Sequence, residues 1–164
     1  VKIEFTAIGT PQQRGSKRGR PITRKGGRPG IAVQDDNPKS KAWMSRVIDA
    51  AREAYSGDVL TGALRVTASF YFLRPKCHFG TGRNADKLKL SAPIHYTKTP
   101  DVDKLQRCLG DAMEGVLYRN DAQIVIWQDT QKIWTTRGPE RAIVVIETLD
   151  DSRAGETGNG GPKR

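Results

Sequence analysis

Leu105, Cys108, Leu109, Ala112, Met113, Val116 and Leu117 recur at i, i+3, i+4, i+7, i+8, i+11 and i+12, the repeat of one face of an α-helix. A stripe that wide has to be covered, so the segment predicts an amphipathic helix lying on a core and ending near Val116 or Leu117. Cys108 falls within the stripe and reads as a buried thiol packed as a small hydrophobe. An earlier helix is predicted from Asn37 as N-cap and Pro38 at the first helical position. It carries Trp43, Val47, Ile48, Ala51 and Ala54 at helical spacing and runs to about Tyr55, before Gly57.

Strand patterns surround these helices. Lys2 to Ile8 alternates polar and apolar residues, and Ala63 to Leu73 puts Leu64, Val66, Ala68, Phe70 and Phe72 on one face. Ala122–Trp127 and Ala142–Leu149 are β-rich, and the turn residues Arg137-Gly138-Pro139 between them predict a terminal hairpin. The order β-α-β-α-β-β predicts a single α/β (α+β) domain over residues 1–149, a mixed sheet with two helices packed on it. From Asp150 the composition turns to Asp, Ser, Gly, Glu and Lys, which predicts a disordered tail over 150–164. A chain of 164 residues buries about two-thirds of its unfolded surface and needs no disulfide or structural metal to hold a core. Cys77 and Cys108 form no Cys-x-x-Cys pair, and a zinc site would have to enlist both cysteines together with His78 and His95 at no familiar spacing. No apolar run approaches the ~20 residues of a membrane span, and the opening residues lack a signal-peptide pattern, so a cytoplasmic location is expected.

Charge directs attention to a polyanion. The 28 Lys and Arg against 18 Asp and Glu leave a net charge of +10, and clustered cations gain affinity for phosphates by releasing condensed counterions. Between Glu4 and Asp35 no acidic residue occurs, whereas Arg14, Lys17, Arg18, Arg20, Arg24, Lys25 and Arg28 do. With little apolar material, residues 9–36 read as a basic flexible loop, either a solvated linker or an arm that tracks nucleic-acid backbone. Residues 75–100 form a second basic loop, with Lys76, Arg83 and Lys89 as further candidates for DNA contact.

Against this cationic background the carboxylates in Thr99-Pro100-Asp101-Val102-Asp103-Lys104-Leu105-Gln106-Arg107 need a reason. Asp101 and Asp103 stand at the mouth of the second helix, Asp103 and Arg107 are an i, i+4 pair off the apolar stripe, and Asp121 follows at the entrance to the next strand. Each residue alone also fits a structural role: Asp101 as an N-cap, Asp103 as a helix-dipole and Arg107 partner, Asp121 as a turn residue. If the three carboxylates converge, which requires the sheet to pass beside the helix start, they suit Mg²⁺ and the hydrolysis of a phosphodiester.

The run from Thr99 to Arg107, then Leu109-Gly110-Asp111-Ala112-Met113 and Tyr118-Arg119-Asn120-Asp121-Ala122-Gln123-Ile124-Val125, resembles the RusA family of Holliday junction resolvases, common in phages and prophages. The likeness covers about residues 1–149 and takes in Arg74-Pro75-Lys76, Gly80–Asn84 and Ser91-Ala92-Pro93. It implies a homodimeric crossover junction endodeoxyribonuclease that cuts four-way DNA junctions with Mg²⁺, or Mn²⁺, by paired nicks in recombination and repair. It also implies Asp101, Asp103 and Asp121 as catalytic metal ligands. The family's catalytic lysine falls at Arg107, which keeps the positive charge but not a transferable proton. Lys104 stands where the family usually has Asn, and Asn120 where it often has Asp. Two other readings of the residues are a branch or flap endonuclease without junction preference and a non-catalytic basic nucleic-acid-binding module.

Overall fold

The alternation in β4 (Leu64–Leu73) sends Leu64, Val66, Ala68, Phe70 and Phe72 into the core and leaves Arg65, Thr67, Ser69 and Tyr71 half-buried on the opposite face. The same period buries Ile3, Phe5 and Ala7 of β1 (Lys2–Ile8) and Ala142, Val144 and Ile146 of β6 (Arg141–Thr148). With β5 (Ile124–Thr135) these make one mixed sheet in the order β1-β6-β4-β5. β6 is antiparallel to both its neighbours, and β4 and β5 are parallel. The computed structural model describes residues 1–15, 17–35 and 37–150, with the side chains of 17, 18 and 33–35 outside the description. No helix among the described residues is long and apolar enough to cross a membrane.

Two helices lie side by side on one face of the sheet. Helix α1 (Pro38–Ala54) packs on β1 and on α2 (Val102–Met113), and α2 packs on β5. Asn37 caps α1 by accepting the amide of Lys39, and Pro38 takes the first turn, as expected. The stripe of α2 buries Leu105, Cys108, Leu109, Ala112 and Met113. The helix stops at Met113 rather than near Val116 or Leu117. Gly115 adopts φ +73°, and the amides of Val116 and Leu117 both return to the Met113 carbonyl, so Leu117 and Tyr118 are buried from a turn instead of from helix.

The expected terminal hairpin does not form: β6 inserts between β1 and β4, and β5 takes the edge beyond β4. The reason lies in the residues. β5 continues as Gln128-Asp129-Thr130-Gln131-Lys132, polar and charged residues suited to an edge, which leaves β6 to pair with β4 on its other side. Between the pairs Thr67↔Gln128 and Ser69↔Gln131, β5 holds one extra residue, a bulge in which Asp129 takes φ +46°.

The segment 9–36, expected as a flexible loop, contains an antiparallel hairpin: β2 (Lys17–Thr23) paired with β3 (Pro29–Asp35). Its turn is closed by the Arg24 amide to the Arg28 carbonyl and the Gly27 amide to the Arg24 carbonyl. Gly26 and Gly27 supply the positive φ values that such a tight reversal demands. Residues 75–100 are irregular apart from single 3-10 turns at Lys76–His78 and Gly82–Asn84. Residues 151–164, most of the expected tail, lie outside the described set.

Candidate active site

One wall of the candidate site is the face of α2 opposite its apolar stripe. Asp103, Gln106, Arg107 and Gly110 succeed one another there at helical spacing. The other wall is the start of β5, which contributes Ile124 and Trp127, with Asp121 just before it. These seven residues line a cavity of about 220 Å³. Gly110 lines it closely: a β-carbon there would come into ordinary contact with Trp127, the Tyr118 hydroxyl and Ile124.

Local chemistry fixes each wall. Asp121 begins a 3-10 turn with a reciprocal cap, in which the Asn120 side chain accepts the Ala122 amide at 2.8 Å and Gln123 Oε1 accepts the Asn120 amide at 3.2 Å. The Gln123 amide group also donates to the Leu60 and Gly62 carbonyls at 3.0 and 3.2 Å, which ties this turn to the loop before β4. Beneath it, the fully buried Tyr118 donates to the Gly110 carbonyl at 2.7 Å. Burial, reinforced by Asp121, Glu114 and Asp111, pushes the Tyr118 phenol well above its ordinary range.

The predicted site residues are distributed along α2. Asp103, Arg107 and Asp121 share the cavity, and neither a hydrogen bond nor an ion pair engages any of the three side chains among the described residues. Asp101 occupies the N-cap position but makes no capping bond. Its carboxylate accepts from Lys104 Nζ at 2.7 Å, and that bond, then the charges of Lys104 and Lys132, hold it below the usual carboxylate range. The sheet does pass the helix start, but the part of β5 found there is Lys132, which donates to the Pro100 carbonyl at 2.7 Å. β5 therefore runs antiparallel to α2, and Asp121 enters toward the C-terminal end of the helix. There its carboxylate lies within 4.8 Å of those of Asp111 and Glu114.

Asp111 and Glu114 were not anticipated. The signal was present, since 103, 107, 111 and 114 mark one helix face, but acidic residues on the polar side of a helix usually read as a solvated surface. Asp111 also forms an ion pair with Arg14, which carries the start of the basic segment against the site wall.

Among the other predicted DNA contacts, Arg20, Arg24 and Lys25 are exposed on the hairpin and its turn, and Lys76 and Arg83 are exposed on the second loop. Lys17 and Arg18 belong to β2, their side chains outside the description. Lys89 holds its own loop together by donating to the Cys77 carbonyl at 2.9 Å. In that loop His78 is held below its ordinary value by partial burial and then by Arg74, Lys98 and Lys89. Trp134, beside His78, is buried against Tyr96, which stacks on Phe72.

The family model described as Endodeoxyribonuclease RusA matches residues 9–147. The chain is also 27% identical over 123 residues to a protein named Uncharacterized protein YqaN from Bacillus subtilis (strain 168), covering 75% of this chain and 82% of that one.

Proposed function

The chain belongs to the endodeoxyribonuclease RusA family, and on that premise we propose that it resolves four-way DNA junctions by paired, divalent-metal-dependent nicks in recombination and repair. The observation that carries this reading is the meeting of Asp103, Arg107 and Asp121 at one small cavity, drawn from two elements separated in sequence. Carboxylate oxygens are hard donors. Asp121, Asp111 and Glu114, whose carboxylate oxygens lie within 4.8 Å of one another, fit an ion such as Mg²⁺ or Mn²⁺, and Asp103 lines the same cavity as Asp121. Bound there, such an ion supplies an activated water and offsets charge on the phosphodiester.

The chain's own residues do the rest. Asp103 and Asp121, on the two walls of the cavity, would hold the ion, and Asp101, paired with Lys104 outside that cavity, would join them only if Lys104 turned instead to a phosphate. Arg107 cannot release a proton at working pH, so its part is to donate to a phosphate oxygen as charge builds in the transition state. Arg20, Arg24, Lys25, Lys76 and Arg83, with Lys17 and Arg18 on β2, grip backbone without reading bases. A four-way junction has two-fold symmetry, and two matched cuts call for two sites, hence a homodimer.

The test is nicking of a four-way junction, a linear duplex and a flap, with and without Mg²⁺. Junction-selective cutting that needs the ion is expected, and Asp103→Asn should abolish it while junction binding stays intact or tightens. Cutting that persists in Asp103→Asn would overturn the assigned roles. Equal cutting of flap and junction would reduce the activity to a general branch endonuclease.

A further inference from the structure

The β2–β3 hairpin forms a two-stranded ribbon of about 23 Å, from seven residues per strand at about 3.3 Å each. It is rooted at the candidate site. Arg14, three residues before β2, pairs with Asp111, and Asn37, just after β3, donates to the Gln13 carbonyl at 2.8 Å. The register sorts its residues into two faces. Pro21 opposes Ile31 and Thr23 opposes Pro29, with Ile31 laid across Gly19, so this face is uncharged over its described side chains. Arg20 opposes Ala32 on the other face, where the Arg24 side chain lies over Gly30 and Ile22 sits between the two arginines. Ile31 is 68% exposed, and Pro21 and Pro29 are exposed beside it.

An exposed apolar face on so basic a ribbon calls for an occupant, and charge selects it. Residues 5–34 contain no acidic side chain, and the ribbon that carries the apolar face bears Arg20 and Arg24 on its opposite face and Lys25 and Arg28 at its turn. A second protein surface would have to bury or neutralise those cations, whereas DNA presents phosphates to the rim and bases to the centre. A two-stranded ribbon also fits a DNA groove, and Ile and Pro are among the side chains that wedge between base steps. Wedging costs least where stacking is already broken, as at the crossing point of a branched substrate.

We infer that the hairpin is a DNA-entering ribbon whose Ile31-centred face occupies the unstacked steps at a junction's centre while its arginines hold the flanking phosphates, making Ile31 a determinant of structure selectivity. The inference rests on the branched-DNA reading above but not on cleavage. Its test is binding of the full chain, in EDTA, to a four-way junction and to a linear duplex of the same arm sequence. A second readout is 2-aminopurine fluorescence at the junction centre. Ile31→Ser should lower junction affinity about tenfold with less than a twofold change on duplex and should suppress the rise in 2-aminopurine signal, while Ile31→Leu restores both. Arg24→Glu with Arg28→Glu should weaken both substrates alike and reduce the salt slope by about two, near 0.9 for each phosphate no longer neutralised. Equal effects of Ile31→Ser on the two substrates, or none, would overturn the inference. So would an unchanged junction preference accompanied by loss of dimer in sedimentation, which would assign the face to a second copy of the chain. A selective effect of Ile31→Ser alongside unimpaired cutting by Asp103→Asn would sustain the ribbon and remove the metal site.

Discussion

Lys104 Nζ donates to Asp101 Oδ2 at 2.7 Å, so the first carboxylate of the acidic motif is held by the cation one helical turn further on. Both groups are about half exposed, which makes the pair a matter of availability rather than stability. Lys104→Asn should free Asp101 and lower the Mg²⁺ needed for half-maximal nicking by about tenfold, the scale on which an outer partner alters metal affinity. The Asp101 carboxyl should also titrate at higher pH by NMR, because the hydrogen bond and charge that lower it are gone. An unaltered metal requirement would leave Asp101 outside the catalytic set.

Arg107 lines the cavity, and on the proposed reading its charge offsets that which develops on phosphate. Arg107→Ala should lower kcat about a hundredfold with little change in junction affinity. Arg107→Lys should retain most of the rate, since a point charge suffices if the group only offsets charge. A pH–rate profile for Arg107→Lys with a new limb near neutrality would show that proton transfer at this position matters after all.

Asp111, already paired with Arg14, lies with Glu114 and Asp121 so that three carboxylates have oxygens within 4.8 Å of one another, and a divalent ion bound there would relieve their repulsion. Mg²⁺ at about a hundred times its dissociation constant should add about 2.7 kcal/mol to stability, visible as a rise in Tm that EDTA reverses. Asp121→Asn should remove most of that rise. If it persists in both Asp121→Asn and Asp103→Asn, the ion binds elsewhere.

Tyr118 links the two walls of the site from below. Tyr118→Phe forfeits its bond to the Gly110 carbonyl and should cost about 1 kcal/mol in urea unfolding, and Tyr118→Ala about 3–5 kcal/mol through the cavity it leaves. Its phenol is raised in the folded state, so its contribution is complete below the unfolded value near 10 and is lost as pH climbs from there toward the folded value. Tyr118→Phe should therefore unfold at higher pH than the wild type once its lower stability at neutral pH is allowed for.

The parts of this fold legible in the sequence are those whose signal is local. The stripe of α2, the Asn37-Pro38 start of α1 and the alternation of β4 each encode their own burial within a dozen residues. The placement of β6 between β1 and β4 is a competition among strands far apart in the chain, which turn residues at Arg137–Pro139 do not report. The β2–β3 hairpin was hidden for another reason. Its described side chains are almost all exposed, so the hydrophobic period is silent there, and its cue was the Gly26-Gly27 pair between Ile22 and Ile31. At the site, the spacing of Asp103 and Arg107 was readable because it follows one helix. The direction of β5, which decides which carboxylates meet Asp121, depends on the crossover from β4.

The central position of β6 also sets an order of events during synthesis. β1 and β4 share no edge of their own, and both wait for residues 141–148 to join them. Local elements such as α1 and α2 need only nearby residues, but the sheet that packs beneath them closes only when β6 is present. Until residues 141–148 are in place, the candidate cavity between α2 and β5 therefore has no completed sheet behind it.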